Sequence, residues 1–147
     1  MKATRINYTT RNISLGVLIT LMVAFSTSCA RKMTFSTSSV VPAAQGSVKV
    51  SRDNNKNYVI KISITNLAEV ERLQPQKQTY VVWMVTNDGL TKNIGQLNSS
   101  KSFLSKKLKA SLKTVSSFNP VKIFITAEND PGVQYPGDQV ILSTDLL

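Results

Sequence analysis

The chain contains no histidine and a single cysteine, Cys29, which removes most catalytic and metal chemistry at the outset. Tetrahedral zinc sites are built from His and Cys sets, and Ser or Cys nucleophiles commonly rely on a neighbouring imidazole. A lone cysteine also leaves no internal disulfide. A Ser–Lys pair is the remaining nucleophilic arrangement, with Ser102 beside Lys101 and Ser105 beside Lys106 as raw material. Neighbours along a strand point to opposite faces, so these adjacent residues are poor partners. The eight carboxylates are scattered, which gives no basis for a paired-carboxylate hydrolase. No catalytic residue, no cofactor and no small-molecule substrate are expected; the chain does not read as an enzyme.

Two charged groupings remain. Glu128, Asp130 and Asp138 lie close in sequence to Tyr135, and oxygen ligands on such a connection could hold Ca²⁺. The spacing is not that of an EF-hand, and Asp and Asn in turns ordinarily bond their own backbone; no metal site is expected. The second grouping is basic. Lys101, Lys106, Lys107, Lys109 and Lys113 fall within thirteen residues that contain no acid. Such a stripe could meet anionic lipid, polysaccharide or nucleic acid. It also fits a solvated edge strand that uses lysine to discourage aggregation, and this is the preferred reading. Apart from Phe103 no aromatic residue falls among these lysines, where a nucleic-acid platform requires a series of them, so nucleic acid is not expected as a partner.

The formal charge of +10 is partly positional, because Lys2, Arg5 and Arg11 open the chain without an acid among them. The apolar residues 13–25, ISLGVLITLMVAF, come next, and then Ser26-Thr27-Ser28-Cys29. A basic start, an apolar segment shorter than a comfortable membrane span and small residues behind it define a secretory signal. The small residues before Cys29 resemble a bacterial lipobox of the looser kind found in Bacteroidetes-like lipoproteins. A buried odd cysteine or an uncleaved anchor helix are the plainer alternatives. The resemblance implies lipidation of Cys29, with residues 1–28 removed and the membrane as a partner through the N-terminal lipid. Stable anchoring takes more than one acyl chain, which a lipidated and N-acylated cysteine supplies. Ala30, where an aspartate would resemble an inner-membrane signal, implies the outer membrane. Arg31 and Lys32, where a surface-export signal would be acidic, imply the periplasmic face. Residues 29–46, rich in Ser, Thr and Ala, read as a flexible tether.

From residue 47 the periodicity becomes two. Val48 and Val50 flank Lys49, and Tyr58, Ile60, Ile62 and Ile64 alternate with Val59, Lys61, Ser63 and Thr65 beyond a turn at 52–57; this is a hairpin with one buried face. Residues 66–78, NLAEVERLQPQKQ, read as a crossing between sheets that Pro75 ends. Residues 80–85, Tyr-Val-Val-Trp-Met-Val, are apolar throughout and read as a strand buried on both faces. Asn87-Asp88-Gly89 turns it into a partner at 91–97. Leu104, Leu108, Leu112 and Val115 fit a helix, whereas Leu104, Leu108, Ala110 and Leu112 fit one face of a strand. The flanking Ser and Thr favour the strand. Residues 121–127 and 139–143 complete about seven strands. The expected fold is an all-β, immunoglobulin-like antiparallel sandwich over 47–147, with Trp83 as a core anchor between the sheets.

Three segments together resemble the extracytoplasmic C-terminal domain of anti-sigma-K-type factors. They are residues 73–88 (LQPQKQTYVVWMVTND), Ile94-Gly95, and residues 123–143 (IFITAENDPGVQYPGDQVILS). The resemblance implies a sandwich of sensor-domain type in which Glu128 ties the following loop to a neighbouring strand. Those factors also carry a zinc-binding, sigma-binding helical module and a spanning helix, and neither pattern is present in this sequence. The expectation is therefore a non-catalytic, lipid-anchored envelope protein that interacts with an envelope partner or senses a signal. The alternative is a structural or adhesive envelope lipoprotein that binds anionic glycan or lipid through its lysine-rich strand.

Overall fold

Alternation along one strand sets the layout. In Tyr58–Thr65, Ile60, Ile62 and Ile64 are buried while Lys61 and Ser63 are exposed, so the strand has one dry face and needs a second layer to cover it. A computed structural model describes residues 30–100 and 108–146 and shows that second layer. Among the described residues nine strands run in chain order: β1 Arg31–Thr34, β2 Gln45–Arg52, β3 Tyr58–Thr65, β4 Thr79–Thr86, β5 Thr91–Gln96, β6 Asn98–Ser100, β7 Lys109–Ser116, β8 Pro120–Glu128 and β9 Val140–Ser143. One sheet has the order β1-β2-β3-β7-β6 and the other β5-β4-β8-β9, with every pairing antiparallel. Apart from β1, these are the strand orders of an immunoglobulin-type sandwich. Among the described residues no helix is long and apolar enough to cross a membrane.

The interior is filled from both layers. Val48, Val50, Ile60, Ile62, Ile64 and Ala110 of the first sheet meet Tyr80, Val82, Met84, Ile123, Ile125 and Ala127 of the second. Residues 66–78 cross between the sheets as expected, with a single 3-10 turn at Val70–Arg72. The β4–β5 hairpin turns where Asp-Gly indicated, and Gly89 takes the positive φ of 78° that the turn requires. A bulge between Val82 and Trp83 distorts the β4–β5 ladder opposite Gly95, whose φ is 130°. The ambiguous lysine-rich segment is a strand over Lys109–Ser116; residues 104–107 lie outside the described residues.

Two expectations are corrected. Residues 30–46 are not a tether, because β1 pairs along Arg31–Thr34 with β2. Ser36 then donates its N–H to Ser143 O of β9 at 2.9 Å, and Val41 and Ala44 are buried in the core. The strand expected from residue 47 already begins at Gln45, where Gly46 packs so tightly that a Cβ would lie 2.9 Å from Ile64 and Phe35. β1 escapes a pattern reading because Met33 is the only apolar residue in its four positions and carries no periodic hydrophobic signal. Backbone ladder bonds hold it in place.

Trp83 is fully buried, but not between the sheets. Tyr80, Val82 and Met84 take the interior face of β4, whereas Trp83 is paired with Phe124 on the opposite face. The two rings stack there with centroids 6.3 Å apart. Residues 129–139 seal this face. Asn93 Nδ2 on β5 donates to Pro131 O at 2.8 Å and to Val133 O at 3.2 Å, which draws the loop across β4. A relay beneath fixes its return. Trp83 Nε1 donates to Thr126 Oγ1 at 2.8 Å, Thr126 Oγ1 donates to Glu128 Oε1 at 2.5 Å, and Gly137 N donates to the same carboxylate oxygen at 2.7 Å.

Two stability measurements follow from this layout. A chain beginning at Ser47 should unfold at lower urea than one beginning at Ala30. The loss is at least about 2 kcal/mol, since β1 and the buried Val41 and Ala44 go with it. Thr126→Val keeps the shape but strands the indole N–H and removes a donor from Glu128, which should cost about 1–3 kcal/mol. The emission of the sole tryptophan reports the same unfolding transition.

Candidate functional site

Each sequence-predicted residue has a definite standing. Cys29, Lys101, Lys106, Lys107, Ser102 and Ser105 lie outside the described residues. Lys109 and Lys113 lie on β7, exposed on the outer face of the first sheet. β7 is not a plain edge strand. It is flanked by β3 along its whole length and by β6 at Lys109–Ser111, so only its second half has an open side.

The acidic connection is occupied with backbone. Glu128 is buried and its Oε1 accepts from Thr126 and Gly137. Close packing accompanies the bond, since a Cβ on Gly137 would meet Glu128 Oε2 at 2.9 Å. Asp130 Oδ1 accepts from Gly132 N at 2.7 Å, and Tyr135 projects into solvent. Among the described residues no three His, Cys, Asp or Glu side chains are grouped to hold a metal ion.

A cleft of about 460 Å³ lies at the end of the sandwich where the β3–β4 connection crosses. Leu67, Val70, Tyr80, Leu97 and Ala110 form its apolar part, and Glu69, Glu71 and Lys109 add charge at its rim. Tyr80 ties the crossing to β4 by donating its hydroxyl to Ala68 O at 3.0 Å. Burial disfavours the tyrosinate, and the nearby Glu71 carboxylate adds to the effect, so the Tyr80 pKa is pushed up to about 12. The sequence marked Tyr80 only as a strand residue; its partner twelve positions away was not readable.

The arrangement least visible in the sequence is on the outer face of the first sheet. The registers place Lys32 opposite Lys49, Lys49 opposite Lys61, and Lys61 opposite Lys113. All four are exposed, and none of their side chains makes an ion pair or a hydrogen bond among the described residues. Strands lie about 4.8 Å apart, so the row spans about 14 Å. Beside it runs a second row, Thr34, Ser47, Ser63 and Ser111. β1, β2, β3 and β7 contain no acid. Only Lys113 belongs to the stripe picked out by sequence. The outward positions of Lys49 and Lys61 were legible from alternation, but their alignment needs the register.

These features define an immunoglobulin-type β-sandwich with one cationic sheet face, a loop-sealed opposite face and an apolar cleft at one end. Comparison with known proteins returns no match to a family model, a curated protein or a solved structure.

The cleft geometry makes a pH prediction. A folded-state pKa near 12 against an unfolded value of 10.0 means the Tyr80 contribution to stability is intact below pH 10. It is lost as pH rises from there through 12, because the unfolded chain ionises first. In an absorbance titration of tyrosinate formation, Tyr80→Phe should remove the highest-pH step and leave the earlier ones in place.

Proposed function

We propose that the protein is a lipid-anchored, non-catalytic module of a bacterial envelope, held at a membrane through Cys29 and acting by interaction or sensing. The observation that carries this reading is the start of β1 at Arg31, two residues beyond Cys29. Two residues reach at most about 7 Å, so a lipid on that cysteine would seat the sandwich directly on the bilayer. The outer membrane, with the domain facing the periplasm, is the location implied by Ala30, Arg31 and Lys32.

The likeness to the extracytoplasmic domain of anti-sigma-K-type factors belongs to the same proposal: a sensor-type sandwich acting without the sigma-binding half. The cleft around Leu67, Val70, Tyr80 and Leu97 is the surface best suited to an envelope protein partner, since concave apolar patches with a few polar groups at the rim are common recognition sites. A structural or adhesive role is the second reading, supported by the exposure of Lys109 and Lys113.

The lipid anchor is tested at its one indispensable atom. Cys29→Ala should abolish incorporation of labelled palmitate and leave the unprocessed chain as the only species on a gel. A variant that is still labelled and processed at the normal size sinks the proposal.

A further inference from the structure

The geometry points to the outer face of the first sheet as an electrostatic seat on anionic phospholipid, with Lys32, Lys49, Lys61 and Lys113 as its contact row. This inference rests on the proposed anchor at Cys29 for its choice of occupant, but the face itself is described independently of it. Four like charges placed directly opposite one another across three ladders repel, and like-charged cross-strand pairs are destabilising. Nothing on the same face neutralises them, because the four strands carry no acid and the adjoining rows are Thr34, Ser47, Ser63 and Ser111 on one side and Ser51, Val59 and Val115 on the other. An external anion is the complement this surface lacks.

The position of the row selects the occupant. Lys32 is three residues from Cys29, at most about 11 Å of chain, and screening at physiological salt extends about 8 Å. A lipid on Cys29 thus holds Lys32, the first member of the row, within about 11 Å of the headgroups, and Lys49, Lys61 and Lys113 continue from it across the same face. The row crosses four adjacent strands on one sheet face, so its ammonium groups can meet several phosphates at once. The neighbouring hydroxyls can donate further hydrogen bonds to the same phosphates. A soluble polysaccharide would match the charge but gains nothing from the proximity of the anchor.

Each lysine near an anionic surface is expected to favour the seated state by about fivefold, so four acting together hold the face down. The test uses the full, processed protein reconstituted into vesicles of phosphatidylcholine alone or with phosphatidylglycerol. Surface amines are labelled with an acylating reagent and read by mass spectrometry. Labelling of Lys32, Lys49, Lys61 and Lys113 should fall together in the anionic vesicles and recover at high salt, while Lys122 on the opposite sheet labels equally in both. Equal labelling of the four in both vesicle types overturns the inference. Protection by a soluble anionic polysaccharide in neutral vesicles, without protection by phosphatidylglycerol, overturns it in favour of a glycan. The anchor is read separately, from whether the protein floats with the neutral vesicles. If it does not, labelling in the anionic vesicles still decides the lysine row.

Discussion

One buried hydrogen-bond relay organises the second sheet. The indole N–H of Trp83 has no access to water, and an unpaired donor in that position would cost about as much as a lost hydrogen bond. Thr126 accepts it, Glu128 accepts from Thr126, and the backbone of Gly137 donates to the same carboxylate. A single chain of polar contacts thereby joins β4, β8 and the far end of the 129–139 loop. With the loop fixed at one side by Glu128 and at the other by Asn93, the outer face of the second sheet becomes a second small core around Trp83 and Phe124. The sandwich therefore has three layers where its strand order alone indicates two.

The two outer faces differ in kind. One is roofed by the loop; the other is open and cationic. That difference follows from the alternation of each strand. Outward positions of β2, β3 and β7 are mostly Lys, Ser and Thr, with Val59 and Val115 at one end, whereas those of β4 and β8 include Val81, Trp83, Phe124 and Thr126. Because β1 is laid on the edge of the open sheet directly after the candidate lipid site, the asymmetry has an orientation with respect to the membrane proposed for it.

How much was legible depended on whether a residue's role was local. The Ile60, Ile62 and Ile64 alternation identified β3 and its buried face, and Asp88-Gly89 identified the β4–β5 turn. The sandwich class and its hairpins followed from such signals. Trp83 was placed on the wrong side because a strand buried on both faces has no alternation to distinguish them. β1 was missed because Arg31–Thr34 has no apolar pattern; its pairing is made by backbone atoms that every residue carries. The lysine row could not be seen because positions 32, 49, 61 and 113 meet only after strand order and register are known. The contiguous lysines drew attention first, and only Lys113 belongs to both groupings.

The bulge opposite Gly95 has a consequence for crowding. β5 is the outermost strand of its sheet, and a flat, regular outermost strand invites a copy of itself to add on. Here the ladder slips between Val82 and Trp83, Gly95 turns to a φ of 130°, and the Asn93 side chain is already committed to the loop. An incoming strand would find donors and acceptors out of phase. In the lipid-anchored state proposed above, where copies would share the two dimensions of a membrane surface, that irregularity would keep neighbours from growing into a continuous β-ribbon.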